Sequence, residues 1–486
     1  MNDVQGFGIG SMEDVQNINK AALDGALGTG LAAGATWGSD SYGATGAQAL
    51  RVESLDSSLK VITFTDKHIN FWKDIPKSPA YSTVEEYNQL LSYGTQAGGF
   101  LAEGELPYQS NSDYARRAAL VKFIGTTRSV SHPLTLVRTM VPDIIAQENS
   151  NGIMWMLRQI ENALFWGQDV GHSGEYVEWA GMDKLLGGGP NTGGVGAGNT
   201  YDLRGTTLSS TPFTHLVNDL AQTVVDNFGF PTDIYIPFPV LAKINEEFAG
   251  TAAQRVILPT ASGNTQVNIN IDGLMTQAGR VNLKPTFFLQ KTRTLGSQST
   301  NNSADGMFSS TCAYGVAENN GSASTELPTG QYSVKVTLSN KYGETGALTL
   351  TGGDTIITTD GGGAKGFTIT LGTADPTTAE FVNIYMSDSL ANGGGLVGST
   401  HYWVETVPVP AVYSTAIVYT GKRLPNTYTC FIGQMTPDVL TFRQLAPLVK
   451  MDLATIAPAY KWMILLYGVP VIFAPLKWTR VINLKY

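Results

Sequence analysis

Hydrophobic periodicity changes character twice along this chain, near residues 313 and 428, and that change restricts the available folds more than any single motif. Ahead of the first break the pattern is helical in places. Ile153, Met156, Leu157, Ile160, Ala163 and Leu164 recur at i, i+3, i+4, i+7, with Ser150 as an N-cap and Gly167 as a stop. A second stripe, Phe213, Leu216, Leu220, Val224 and Phe228, runs to Gly229 and Pro231; Asp233–Pro237 reads as a short buried strand and Val240–Phe248 as a further helix. Residues 265–290 alternate like strands around Val267, Ile269, Ile271 and Val281.

Between 313 and 428 helical spacing all but disappears. Short apolar runs alternate with turns at Tyr332–Leu338, Ala347–Leu350, Phe367–Leu371, Val382–Tyr385, Tyr402–Thr406 and Ser414–Tyr419, the pattern of a β-sandwich. Mixed character then returns, with a helical turn at Thr436–Leu440 and apolar strands at Trp462–Tyr467 and Val469–Phe473. The chain therefore reads as an α+β body interrupted by an all-β insert. An insertion is tolerated when the insert's ends lie close together. Cys312 and Cys430 flank the insert and are expected on neighbouring strands as free buried thiols, with the insert dispensable for folding of the body.

Residues 1–60 are rich in Gly, Ala and Ser, with one short helical pattern at Ser11–Leu23; they read as an extended arm ordered on other subunits or as a disordered tail. Residues 61–80 look like a strand and a loop, and Thr83–Tyr93 has helical spacing broken by Gly98 and Gly99. From Phe100 to Val130 the chain reads as a long two-stranded excursion, with Glu103 and Glu105 outbound, Arg116 and Arg117 inbound, and Lys122 and Arg128 further along the return limb. A long hairpin cannot bury both faces by itself, so it leans on a partner. Its charges are then an intersubunit contact or a solvated tip; as an acid/base pair the two glutamates lack a cleft.

The charged share is 15%, low against a typical share of about 25%, which suits a surface covered by neighbours. The net charge of -9 gives no basic face for sequence-specific DNA binding, yet suits a wall that encloses DNA without gripping it. Two cysteines exclude a disulfide framework and a zinc site. The histidines at 68, 132, 172, 215 and 401 have no metal-ligand spacing, and His215, near a helix start, reads as packing or capping. The Gly6–Gly10 run neither follows a strand nor ends in Gly-Lys-Ser/Thr, and no Gly-x-Ser-x-Gly occurs. No catalytic, cofactor or metal residue is therefore assigned. There is no signal-like start and no apolar run of membrane-spanning length, so no membrane span is expected, nor removal of a large N-terminal prodomain.

The order of segments resembles the Hong Kong 97-type fold of tailed-phage major capsid proteins. The stretch Ala119–Ser131 leading into Pro133–Leu136 looks like the return limb of that family's extended loop; Phe165–Gly167 and Trp179–Met182 look like the segment after its spine helix; Phe213–Phe248 looks like its axial domain; and Tyr467–Leu484 looks like its closing peripheral strand. The resemblance implies an N-terminal arm at 1–60 and a peripheral strand with extended loop at 61–135, the loop itself at about 85–130. It further implies a spine helix at about 143–166 with peripheral domain inside 136–205, a first axial part at 206–312, and the remaining axial part with a closing strand at 429–486. Within the insert, Leu327–Glu344, Val382–Tyr385 and Thr420–Pro425 are similar to a fibronectin type III or Ig-like module.

The function so implied is a shell subunit in the virion, made in the reducing host cytoplasm, that forms hexamers and pentamers around double-stranded DNA held non-specifically. Scaffolding, portal and decoration proteins are the further partners implied. Some family members cross-link through lysine; the tip Gly98–Ala118 contains none, so no such link is expected. Two rivals are a secreted or surface adhesion or carbohydrate-binding protein, disfavoured by the missing signal, and a hydrolase with an accessory module, disfavoured by the missing acid pair.

Overall fold

The computed structural model describes residues 65–94, 100–106, 109–136, 143–167, 171–172, 176–187, 200–204, 213–250, 258–259, 265–266, 271–289, 294–295, 313–319, 327–328, 330–340, 343–350, 356–359, 366–372, 379–388, 400–410, 415–419, 423–454 and 457–485. The arm at 1–60, the glycine-rich stretch after Gly187, Val267, Ile269 and Cys312 lie outside them, so the expected closeness of Cys312 to Cys430 does too. Cys430 is fully buried, and burial pushes its thiol well above the usual range.

The architecture is α+β. A four-stranded sheet has the order Lys77–Pro79, Leu440–Asp452, Ala459–Ile472, Lys122–Ser131, its first pair parallel and the others antiparallel. Ala459–Ile472 is one strand where the sequence suggested two, because Gly468 leaves room for the Phe442 ring; a Cβ there would lie 2.3 Å from it. Against this sheet lies the spine helix, Ile144–Trp166. Its N-cap is Asp143, whose carboxylate accepts the Ala146 N–H at 3.0 Å, so Ser150 sits inside the helix instead of capping it. Gly167 ends it as expected. Gly152 marks the helix–sheet crossing, where a Cβ would meet Ile464 at 2.7 Å, and Arg128 pairs with Glu148 at 3.0 Å to join strand and helix.

A six-stranded sheet follows the order Gly273–Thr276, Gly279–Thr286, Asp233–Pro237, Tyr428–Gly433, Trp478–Leu484, Thr200–Asp202. The helix Phe213–Asp226 buries Phe213, Leu216, Leu220 and Val224 on it, as the apolar stripe predicts. Phe228 is not on that face: the helix ends at Asp226, and Phe228 has a left-handed φ of 60° and is 89% exposed. His215 is exposed, so it does not pack in the core. The last strand, Trp478–Leu484, belongs to this sheet, while Ala459–Ile472 belongs to the four-stranded one; the chain's end thus ties the two together.

Between the helix and the six-stranded sheet sits a turn of helix, Phe71–Asp74. Residues 65–80 hold this turn and the short strand Lys77–Pro79 in place of the single strand and loop suggested by the sequence. Phe71 packs on Phe165 and Tyr235 at 4.8 and 4.9 Å. Glu161 of the spine helix is fully buried and accepts the N–H groups of Asn70, Phe71 and Trp72 at 3.1, 2.8 and 2.8 Å. Burial pushes its carboxyl up, against the pull of those donors. Replacing Glu161 with Ala strands these amides. At about 1–3 kcal/mol for a buried unsatisfied donor, the expected loss is roughly 3 kcal/mol, read as a lowered thermal midpoint. Gln, which keeps an acceptor, loses less.

The described residues between 313 and 419 form two sheets over one core. One contains Thr349–Leu350, Ala313–Asn319, Gly366–Leu371 and Ile417–Val418; the other contains Gly343–Glu344, Gly330–Asn340, Phe381–Ser387 and His401–Pro408, with Ile356–Thr359 beside Gly330–Asn340. Tyr314, Ile369 and Leu371 of the first meet Val334, Val336, Leu338 and Ile384 of the second in a single cluster. Each run of strand residues quoted from the sequence contains or overlaps one of these strands.

Candidate assembly interface

The most exposed apolar element in the described chain is a two-stranded antiparallel ribbon, Val84–Ser92 with Asp113–Leu120. This corrects the helical reading of 83–93. Val84, Tyr87, Leu90 and Leu91 imitate a helical stripe because no residue of this strand is deeply buried, so no strict two-residue alternation is imposed on its sequence. The excursion also ends earlier than Val130: Lys122–Ser131 leaves the ribbon and joins the four-stranded sheet.

Residues paired across an antiparallel ribbon share a face. One face carries Val84, Glu86, Asn88 and Leu90 opposite Leu120, Ala118, Arg116 and Tyr114, and every one of these is exposed. Glu86 and Arg116 form an ion pair on it. The other face, with Tyr87, Gln89, Arg117 and Ala119, is turned to the body: Ala119 is buried, and Tyr87 meets Phe473 edge-on at 5.1 Å. Burial pushes the Tyr87 hydroxyl up and neighbouring Arg117 opposes that shift.

The residues singled out by the sequence thus separate. Glu103 and Glu105 lie beyond the ribbon strands, in an exposed turn where Glu105 accepts the Ala102 N–H at 3.3 Å. Arg116 lies on the open face, already paired within the ribbon, and Arg117 lies on the inner face. Lys122 opens the sheet strand, and Arg128 is bound to the spine helix.

Sequence reasoning missed a second constellation, where the two-sheet module meets the body. Asp183, from the helix Met182–Leu186, receives Arg423 at 2.8 Å and Arg480 at 2.9 Å; all three are buried. The Arg423 guanidinium also lies over the rings of Trp166 and Trp403, at 4.6 and 4.9 Å. Burial works against the Asp183 charge, but Arg423 and then Arg480 outweigh it and hold the carboxyl below the usual range. Further bonds seal the joint: Leu424 N–H to Asn483 at 2.7 Å and Asn426 to Asp388 at 2.9 Å. These contacts tie the module to the body. Among the described residues, no group of three or more His, Cys, Asp or Glu is placed to hold a metal, and no helix is long and apolar enough to cross a membrane.

A body that projects an apolar ribbon into solvent has the anatomy of a structural subunit that packs against neighbours. No family model matches the chain. It is, however, 25% identical over 451 residues to the major capsid proteins of Staphylococcus phage S25-3 and Staphylococcus phage K, covering 90% of this chain and 91% of each relative. Among solved structures it is similar to the capsid of cyanophage P-SCSP1u (TM-score 0.44, 8% identity, 91% of this chain and 96% of that one). It is also similar to the capsid of Myoviridae phage XM1 (TM-score 0.43, 9% identity, 90% and 99%). By its whole-length likeness to the staphylococcal phage proteins, the chain is a homologue of phage major capsid proteins, a structural protein of the virion and not an enzyme.

Proposed function

We propose that this chain is the major capsid protein of a tailed phage with the Hong Kong 97-type fold. Copies of it assemble into hexamers and pentamers of an icosahedral head around double-stranded DNA. The observation that carries this reading is the ribbon: one face holds Val84, Leu90, Tyr114 and Leu120 in solvent, with Tyr114 69% and Leu120 54% exposed. An isolated two-stranded ribbon is marginal in water, so such a face is stabilised when a second copy covers it. The order of ribbon, sheet strand and spine helix along the chain supports the same fold assignment, and the net charge of -9 suits a wall that does not bind phosphate tightly.

In this reading Glu103, Glu105, Arg116, Arg117, Lys122 and Arg128 lie on or behind the contact region. The two-sheet module is an Ig-like contact surface on the outside of the shell. Assembly takes place in the host cytoplasm, with scaffolding, portal and decoration proteins as further partners. Nothing in the relatives supports the adhesion reading. Electron microscopy of the purified full chain tests the proposal: shells, tubes or capsomer rings are expected, and monomers alone at every concentration and salt would overturn it.

A further inference from the structure

We infer that Phe473 is the pivot that sets the angle between ribbon and shell wall, with Tyr87 and Gln89 as its positioning residues. The inference rests on the reading of the ribbon as a contact between copies.

The ribbon is supported at two places. At its root, the Val121 N–H bonds the Thr83 carbonyl at 2.9 Å, beside the point where the chain enters the four-stranded sheet. The second support lies further out. Gln89, sixth of the nine residues in its strand, donates its side-chain N–H to the Phe473 carbonyl at 2.7 Å, and Tyr87 sets its ring edge-on to the Phe473 ring at 5.1 Å. At about 3.3 Å per residue, Gln89 is roughly 17 Å from Val84. A twisted ribbon held only at its root can swing, whereas one held again at that distance keeps a fixed direction.

Phe473 is itself held from several sides. Its N–H bonds the Val439 carbonyl at 2.9 Å, its carbonyl receives Gln89, and the Arg443 guanidinium lies 5.7 Å from its ring. Arg443 is in turn bound to the Pro79 carbonyl at 3.3 Å. The residue follows Ala459–Ile472, the central strand that pairs with both Leu440–Asp452 and Lys122–Ser131. Beyond its root, where Ala119 is buried in the core, the ribbon's direction is thus referred to the sheet through Phe473. In a closed shell the same angle is repeated in every subunit, so a small change in it alters curvature before it abolishes contact.

The full-length protein tests this with three kinds of variant, each assembled and imaged by cryo-electron microscopy after circular dichroism has shown it to be folded. Gln89→Ala and Tyr87→Leu are expected to form particles whose diameter distribution is shifted or broadened, tubes included, while Tyr87→Phe, which keeps the ring edge, retains the wild-type diameter. Val84→Asp with Leu120→Asp, on the open face, is expected to lose assembly. Wild-type diameters for both Gln89→Ala and Tyr87→Leu, with assembly lost in the open-face variant, overturn the pivot and leave the interface standing. Complete loss of assembly in folded Gln89→Ala also overturns the pivot, since it places Gln89 in the contact itself. Normal assembly of the open-face variant overturns the interface reading beneath it.

Discussion

Replacing Asp183 with Ala is expected to cost about 3–5 kcal/mol, the usual price of removing one partner from a buried ionic group, and with it most of the folded protein. Asp183 stands between two buried guanidiniums, Arg423 and Arg480, so its loss leaves two like charges buried without a counter-ion. Arg423→Met should be milder. It leaves Asp183 and Arg480 as a balanced pair, and the thioether side chain still fills space between Trp166 and Trp403. The measurement is urea unfolding of the unassembled subunit; equal losses for the two variants would show that charge balance is not what the joint depends on.

The pH dependence follows from the depressed Asp183 pKa. A carboxyl held below its unfolded value of about 3.9 contributes stability above that pH. That contribution is lost as pH falls through the lower folded value, so acid titration of the unassembled subunit should show stability falling below the ordinary carboxyl range, a fall that Asp183→Ala should lack.

The second large effect is expected on assembly. Arg116→Glu sets a carboxylate beside Glu86 on the open ribbon face, and shells should fail to form while the subunit stays folded. An exposed pair is worth only about 0.2–1 kcal/mol to the ribbon itself, so folding is little affected. At an intersubunit contact, a penalty of about 1.4 kcal/mol is tenfold in that contact's equilibrium constant, and a closed shell repeats it in every subunit. The informative variant is the swap, Glu86→Arg with Arg116→Glu. It restores attraction within the ribbon but reverses the charge pattern presented outward. Light scattering should show the swap still defective. Recovery to wild-type assembly would confine the pair's role to the ribbon and remove it from the interface.

What the sequence by itself determined is the elements whose apolar residues keep a regular period or form a short unbroken run. The spine helix and the helix Phe213–Asp226 each bury one stripe, so the 3.6-residue period is written into their apolar residues. The strands of the 313–419 module send alternate residues such as Val334, Val336 and Leu338, or Val382, Ile384 and Met386, into a shared core, and their short apolar runs between turns were readable for that reason. The ribbon strand Val84–Ser92 was misread because neither of its faces is deeply buried and its apolar residues carry no strand period. Leu440–Asp452 went unnoticed because register shifts near Gln444 and Ala446 break its alternation and Pro447 interrupts its run.

Tertiary structure alone decided the rest. Arg423 and Arg480 reach Asp183 from 240 and 297 residues away, and Gln89 reaches Phe473 across 384. No local pattern encodes such meetings, because a charged or polar side chain carries the same letter whether it lies in water or is buried against its partner. Only the packing of the spine helix, the two body sheets and the module against one another removes water from Asp183 and leaves its two arginines as the groups that hold its charge.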